Sequence, residues 1–205
     1  MMYQALIFDV GGVIVGHDNA RLHRTLAGRC TAPDAYDRLV AHDHDRRFTT
    51  GELAVEALHR RLADELGYAG DWSMFAKDYC SHLWIEQDML AFLEALSAHN
   101  RVELFSNTNG VHWAHVRDIS AGRIDGFVQH LSHEIGMLKP DVEAFAHVAE
   151  RAGVEPGRCL FFDDVMANVE AARRAGFQAE QFTTQAALAE LLATRGVKWR
   201  EGAHA

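Results

Sequence analysis

Five short apolar runs, spaced along almost the whole chain, limit what this sequence can fold into more than any other feature. Each is four or five residues long, rich in Ile, Val, Leu or Phe, and without clean polar alternation, as in strands buried on both faces. Helical patterns, with apolar residues at three- and four-residue spacing, separate the runs from the second onward. The runs are Ala5–Phe8, Val102–Phe105, Phe127–Leu131, Cys159–Phe162 and Ala179–Phe182. This alternation predicts an α/β protein with a doubly wound, five-stranded parallel sheet of Rossmann type.

The interval between the first two runs is too long for one crossover and carries several amphipathic patterns of its own. These predict helices over Leu22–Arg29, Ala35–Asp45, Glu52–Leu66 and Trp72–Leu83, followed by Asp88–His99, which returns the chain to the second strand. Asp71 is placed to cap a helix and Gly67 to end one. We therefore expect a small all-helical cap at residues 16–85, inserted after the first strand of a core formed by residues 1–15 and 86–205. We expect Trp72, Phe75, Tyr79 and Trp84 in the interior of that cap.

Composition narrows the classes of function. The formal net charge of −9 over 205 residues disfavours nucleic acid, since binding to its phosphate backbone requires a basic face. A small phosphorylated ligand needs only a few local donors. No apolar run approaches the ~18 residues that span a bilayer, which predicts no membrane association. Cys30, Cys80 and Cys159 are odd in number and form no CxxC motif, which predicts reduced thiols in a cytoplasmic protein.

Polar residues follow four of the predicted strands, at the edge where open α/β sheets bind ligands. Asp9 follows the first strand, and Gly11 and Gly12 behind it allow a tight turn. Ser106 and Asn107 follow the second strand at the start of a helix, a place that suits an anion.

The third and fourth strand ends supply a cation and two acids. Lys139 follows the third strand and precedes Pro140, which could occupy the first position of a helix. Asp163 and Asp164 end the fourth strand side by side, an arrangement that repels itself unless a cation is present. A hard divalent ion such as Mg²⁺ fits oxygen ligands of this kind. A lone acid, an anion cradle, a lysine and an acid pair in this order point to one site.

The four segments together resemble the haloacid dehalogenase superfamily, in its phosphatase branch with a small helical cap. The resemblance covers residues 6–192, and the helical insertion falls where that branch carries its cap. The stretch Phe48–Leu53 is similar as well, more weakly. The segments that carry the resemblance are Phe8–Val13, Leu104–Asn109, Leu138–Pro140 and Phe161–Asp164.

The resemblance implies a role for each matching residue. Asp9 would be the nucleophile, forming an aspartyl-phosphate. Mg²⁺ would be held by Asp9, the carbonyl of Gly11 and Asp164, with Asp163 helping directly or through water. Phosphate would be bound by Ser106, the N–H of Asn107 and Lys139, the last also acting on the nucleophile. The resemblance implies a phosphatase acting on a small phosphorylated metabolite, with a sugar phosphate expected, in a monomer or homodimer.

Position 11 departs from the pattern of the family. Many family phosphatases carry a second Asp two residues after the nucleophile, which protonates the leaving oxygen, and here that residue is Gly11. The departure disfavours a phosphomutase. It favours a substrate with an acidic leaving group, such as a sugar 1-phosphate. His17 and Asp18 are candidate substitutes for the acid, although a hinge or cap contact explains either residue equally well.

Two other functions stay open on the sequence. A 2-haloacid dehalogenase shares the Asp nucleophile, the Ser-Asn pair and the Lys, but it uses no metal and has little reason for two adjacent acids. A catalytically silent binding domain is kept open by the missing acid at Gly11. The pair Asp163 and Asp164 favours the metal-dependent phosphatase over both.

Overall fold

A five-stranded parallel sheet forms the centre of the protein in the computed structural model, which describes residues 3–42 and 46–199. The strands in this part of the chain are β1 (Ala5–Phe8), β2 (Val15–His17), β3 (Leu83–Ile85), β4 (Val102–Ser106), β5 (Val128–Leu131), β6 (Cys159–Asp163) and β7 (Gln178–Gln181). The sheet order is β5-β4-β1-β6-β7, and every neighbouring pair is parallel. All five predicted runs are strands to within one residue at each end, which confirms the predicted fold class.

Helices cover both faces of the sheet. Those in the described residues are α1 (Asn19–Ala27), α2 (Ala35–His42), α3 (Arg46–Thr49), α4 (Val55–Leu66), α5 (Trp72–Cys80), α6 (Gln87–Ser97), α7 (Gly110–Ile119), α8 (Ser132–Ile135), α9 (Val142–Ala152), α10 (Met166–Arg174) and α11 (Gln185–Thr194). Alternate residues of β1 face opposite sides, so Phe8 packs in one apolar cluster with α6, α7 and α11, and Ile7 in another with α9 and α10. Burial on both faces is why the strands read as apolar runs.

The helices α1 to α5 form a separate layer with its own apolar cluster. Leu22, Leu62 and Phe75 are buried in that cluster, and Trp72 and Tyr79 pack against it. The chain enters and leaves the layer through an antiparallel ribbon in which Val15 of β2 pairs with Ile85 of β3. The helical layer lies where the cap is expected. The domain boundaries at residues 15/16 and 85/86 stay a prediction.

Several local expectations can be compared with the structure. Asp71 accepts a hydrogen bond from the N–H of Met74 and caps α5, and Gly67 ends α4 with a φ of 66°. The last three residues of the predicted helix Ala35–Asp45 lie outside the described residues. Two expectations are wrong. Helix α9 begins at Val142 and is preceded by Asp141, so Pro140 is not its first residue. Trp84 belongs to β3 and is 44% exposed, with its ring lying across Gly16 instead of inside the cap.

The three cysteines are free thiols, as predicted. Burial raises the pKa of the Cys80 thiol to about 12 and that of Cys159 to about 11, which keeps both protonated at neutral pH. Within the described residues, no helix combines the length and the apolar character that crossing a bilayer demands.

Candidate active site

The sheet order brings the predicted site residues to one edge. Strands β4, β1 and β6 are neighbours, so Ser106, Asp9 and Asp163 follow or end adjacent strands on the carboxyl side. Lys139 comes from the connection between α8 and α9, which follows the edge strand β5. Parallel strands make this convergence unavoidable, because their carboxyl ends all lie on the same side.

Lys139 lies between the nucleophile candidate and the acid pair. Its Nζ is 2.7 Å from Oδ1 of Asp9 and 2.7 Å from Oδ2 of Asp163. Lys139 as a whole is only 2% exposed, and its ammonium group lies 5.3 Å and 5.5 Å from the ring centroids of Phe105 and Phe161. A buried ammonium group is costly unless paired, and here two carboxylates pair it.

Asp9 is buried, and its surroundings disfavour the charged form of its carboxyl group. Burial raises its pKa to about 7, against the lowering effect of Lys139, and the charge of Asp163 adds to the rise. Its Oδ1 also accepts a hydrogen bond of 2.6 Å from the N–H of Val10. The ionised carboxylate is therefore disfavoured by its surroundings, and an additional cation would favour it.

The two adjacent acids have different environments. Asp163 is fully buried and saturated: its Oδ1 accepts from the N–H of Val165 at 2.8 Å, and the amide of Asn168 lies 3.0 Å from both carboxylate oxygens. Asp164 is partly buried, and its pKa is raised by desolvation and then by the charge of Asp163. Asp163 thus serves the framework of the site, while Asp164 keeps oxygens available for an ion.

The backbone of Gly12 makes room for Asp164. Gly12 has a φ of +71°, and a Cβ placed on it would lie 2.2 Å from Oδ2 of Asp164. Any side chain here would push the carboxylate away, and the positive φ also favours glycine. The site therefore requires a glycine at the second position of the Gly-Gly turn after Asp9, which is Gly12. At Gly11, a Cβ would meet no atom within 4 Å.

The acids fit a hard divalent ion. Among the described residues, Asp9, Asp163 and Asp164 each offer one carboxylate oxygen, and these three oxygens lie within 4.8 Å of one another. Mg²⁺ prefers oxygen ligands and binds through one or two carboxylates with water completing its shell. Gly11, the predicted carbonyl ligand, lies in the same turn and is bridged to Val15.

The loop after β4 has a feature that the sequence did not reveal. The amide of Asn107 bonds the backbone of Lys139 in both directions: its Nδ2 donates to the carbonyl at 2.7 Å, and its Oδ1 accepts from the N–H at 2.9 Å. The side chain of Asn107 therefore positions Lys139, and Asn107 can bind an anion only through its own backbone N–H. Two residues on, Oδ1 of Asn109 caps α7 by accepting from Val111 and His112.

Two further residues belong to the site. Asn168 of α10 was not predicted as a site residue, and in the structure it supports Asp163 through both carboxylate oxygens, beside Lys139. Ser132, the first residue of α8, is fully buried against the loop after β4, and its isolated position in the sequence gave no signal. Of the candidate substitutes for the missing acid, His17 is exposed on β2, and Asp18 caps α1 through the N–H of Arg21.

Comparisons with known proteins show the family to which the sequence is related. Residues 3–176 match the sequence profile of the family described as haloacid dehalogenase-like hydrolase. The chain is 26% identical over 198 residues to the validoxylamine A 7'-phosphate phosphatase of Streptomyces hygroscopicus subsp. limoneus, covering 89% of this chain and 87% of that protein. It is 50% identical over 48 residues to phosphatase MT3486 of Mycobacterium tuberculosis, a match that spans only 22% of that protein's length.

Solved structures share the fold. The HAD family enzyme BT-2542 of Bacteroides thetaiotaomicron superposes with a TM-score of 0.82 at 23% identity, covering 93% of this chain and 98% of that one. A complex of the same enzyme with magnesium and inorganic phosphate superposes with a TM-score of 0.77 at 22% identity, covering 89% and 96% of the two chains.

Proposed function

The chain belongs to the haloacid dehalogenase-like hydrolases, and from that premise we propose that it is a Mg²⁺-dependent phosphatase that hydrolyses a small phosphomonoester through an aspartyl-phosphate on Asp9. The observation that carries the proposal is the cluster of Asp9, Asp163 and Asp164, of which the first two pair with the buried ammonium group of Lys139. An acid pair next to a carboxylate nucleophile is suited to an ion-assisted attack on an anionic substrate. The phosphatase named for validoxylamine A 7'-phosphate and the magnesium–phosphate complex of BT-2542 support the same reaction.

In the proposed reaction, the residues of the chain position charge. A carboxylate oxygen of Asp9 attacks phosphorus, the bond from phosphorus to the leaving oxygen breaks, and that oxygen takes up a proton. Water then attacks the phosphorus of the aspartyl-phosphate, releasing phosphate and restoring the carboxylate. Ser106 and the N–H of Asn107 hold phosphate oxygens, and Lys139 offsets the negative charge of nucleophile and phosphate.

The metal site is assigned to Asp9, the carbonyl of Gly11 and Asp164, with Asp163 helping directly or through water. When bound, Mg²⁺ offsets the repulsion between carboxylate and phosphate. The saturation of Asp163 by Lys139, Asn168 and Val165 argues that it orients the others. These assignments rest on the residue-by-residue resemblance and on the geometry above.

The lack of an acidic side chain at Gly11 limits which leaving groups the substrate can have. Gly11 supplies no proton to the leaving oxygen, so we infer a substrate whose leaving group is already acidic, such as the C1 hydroxyl of a sugar 1-phosphate. A small phosphorylated metabolite as partner, a monomer or homodimer, and a cytoplasmic location remain part of the proposal. Equal cleavage of glycerol phosphate and a sugar 1-phosphate would contradict the argument from the leaving group.

A metal-independent 2-haloacid dehalogenase is the second candidate, and the acid pair separates the two. A dehalogenase needs no cation and gains nothing from Asp164, which lies against Gly12 with available oxygens. A silent binding domain is the third candidate, and activity on p-nitrophenyl phosphate would exclude it, because that leaving group needs no acid.

The test is a panel of phosphorylated metabolites and p-nitrophenyl phosphate, run with Mg²⁺ and with a chelator. The Asp9→Asn variant is expected to fold and to lose turnover by several orders of magnitude, because an amide is a poor nucleophile. Asp34→Asn, on the loop before α2, is a matched control for the loss of one carboxylate. Undiminished activity in Asp9→Asn, or in the chelated wild type, overturns the proposal.

A further inference from the structure

The hydroxyl of Ser132 connects the helical layer to the loop that follows β4. Its Oγ accepts a hydrogen bond from the N–H of Thr108 at 2.9 Å and lies 2.7 Å from the carbonyl oxygen of Thr49, in the helical layer. It also lies 3.0 Å from the carbonyl oxygen of Thr108. Ser132 is fully buried, so this hydroxyl exchanges no hydrogen bonds with bulk water.

One proton faces two acceptors at this point. A serine hydroxyl donates a single hydrogen bond, so it can serve Thr49 or Thr108 at one time, and the shorter distance is to Thr49. If α3 moves away from the core, the hydroxyl can turn to the carbonyl of Thr108 and stay paired. Separation therefore costs the hydrogen bond to Thr49 but leaves no unpaired hydroxyl in the core.

A second set of contacts joins the same two parts. Nδ2 of Asn109 donates to the hydroxyl of Tyr79 on α5 at 3.2 Å. Asn109 thus bonds the helical layer directly, and Thr108 is connected to it through Ser132. Gly51 packs so closely that a Cβ on it would lie 2.3 Å from the carbonyl oxygen of His133, next to Ser132. The loop is thereby held by the core through Asn107 and by the helical layer through Thr108 and Asn109.

We propose that Ser132 is a positioning residue that couples the seating of the helical cap to the geometry of the phosphate loop, Ser106–Asn109. With the cap seated, the hydroxyl is fixed between Thr49 and Thr108, and the N–H groups of the loop are held for phosphate. With the cap displaced, the hydroxyl turns to the carbonyl of Thr108, and the loop loses its connection to the helical layer through Ser132. The inference rests on the proposed function, since it assigns a regulator to the phosphate site of that function.

The first experiment compares Ser132→Ala with Ser120→Ala. Ser120 is also buried, 2% exposed, and its hydroxyl donates to the backbone carbonyl of Arg117 in α7, so the control removes the same group outside the helical layer. Hydrogen–deuterium exchange is followed for residues 46–53 with and without Mg²⁺ and inorganic phosphate. Faster exchange of this segment in Ser132→Ala only is expected, with a weaker protective effect of phosphate.

Steady-state kinetics on p-nitrophenyl phosphate supply the second measurement. Loss of one neutral hydrogen bond is expected to lower kcat/KM by about three- to tenfold in Ser132→Ala. Ser132→Thr retains the hydroxyl and is expected to recover part of the loss, while Ser120→Ala stays at the wild-type value. Faster exchange without a kinetic effect would make Ser132 a structural contact only, and identical exchange in the two alanine variants would remove the coupling altogether.

A substitution in the helical cap supplies the third measurement. Gly51→Ala pushes the same contact apart, and Gly122→Ala is its control, because Gly122 has a matching φ of +74° and a Cβ there meets no atom within 4 Å. Gly51→Ala and Ser132→Ala are expected to be non-additive, whereas additive losses would overturn the coupling. Absence of phosphatase activity in the wild type would refute the proposed function, and the exchange measurement would still decide the role of Ser132.

Discussion

Replacing Asp9 by Asn is expected to stabilise the metal-free protein while abolishing its activity. Burial raises the pKa of Asp9 from 3.8 to about 7, so keeping the carboxylate ionised in the folded state is unfavourable. Below pH 3.8 the carboxyl is protonated in both states. Between 3.8 and about 7 the unfolded chain releases a proton that the folded protein retains, and stability falls with rising pH. Above about 7 the penalty is complete.

The magnitude follows from the shift in pKa. About three pKa units at ~1.4 kcal/mol each give roughly 4 kcal/mol as an upper limit, because the amide of Asn also loses water on burial. Lys139 keeps Asp163 as a partner at 2.7 Å in the variant, so its ammonium group stays paired. We expect Asp9→Asn to be more stable than the wild type by roughly 2–4 kcal/mol at about pH 8.

The assay is urea denaturation in a chelator at about pH 5 and about pH 8. The advantage of Asp9→Asn is expected to be less than half as large at the lower pH as at the higher one, where it is close to its maximum. Asp163→Asn is the control with the opposite sign, since the carboxylate of Asp163 accepts from Lys139, Asn168 and Val165 and its loss destabilises the protein. A variant Asp9→Asn that is no more stable than the wild type at about pH 8 would refute this electrostatic reasoning.

Three further predictions concern Gly11, Asp164 and His82. Gly11→Asp, where a Cβ meets no atom within 4 Å, is expected to raise kcat on glycerol phosphate relative to p-nitrophenyl phosphate, because it restores an acid for a poor leaving group; an unchanged ratio of the two rates would contradict this. Asp164→Asn is expected to fold normally without metal but to lose the increase in Tm on adding Mg²⁺, and a retained increase would place the ion elsewhere. Desolvation lowers the pKa of His82 to about 4, so the unfolded chain binds a proton first as pH falls. The wild type is expected to lose up to roughly 3 kcal/mol of stability between pH 6.5 and about 4. His82→Gln should flatten that loss in urea titrations, and an equally steep loss would assign it to other groups.

The strands were predictable because each is buried on both faces and so leaves an uninterrupted apolar run, as in Cys159–Phe162. The ribbon of β2 and β3 was not, since Val15, Gly16 and His17 are mixed in polarity and stabilised by pairing with a segment almost seventy residues away. The same ribbon explains the error at Trp84, which follows the last helix of the cap but lies in a strand with its ring across Gly16.

The sequence predicted the residue types of the candidate site, but not the hydrogen bonds that hold those residues in place. Strand order alone brings Asp9, Ser106 and Asp163 together, so chemistry at successive strand ends was sufficient to find them. The supporting contacts depend on distant pairs that no local pattern encodes, such as the amide of Asn107 with the backbone of Lys139. The burial of Lys139 likewise became evident only with the two carboxylates and two rings placed around it.

The central claim is that Asp9 carries the phosphoryl group during turnover, and chemical trapping tests it most directly. The enzyme is mixed with substrate and Mg²⁺, quenched rapidly, and treated with borohydride, which reduces an acyl-phosphate to the alcohol and converts the aspartate to homoserine. Peptide mass spectrometry is expected to find homoserine at position 9 only when substrate and Mg²⁺ are both present. Turnover with the phosphoryl group trapped on another residue, or with Asp9 unmodified throughout, would contradict the account.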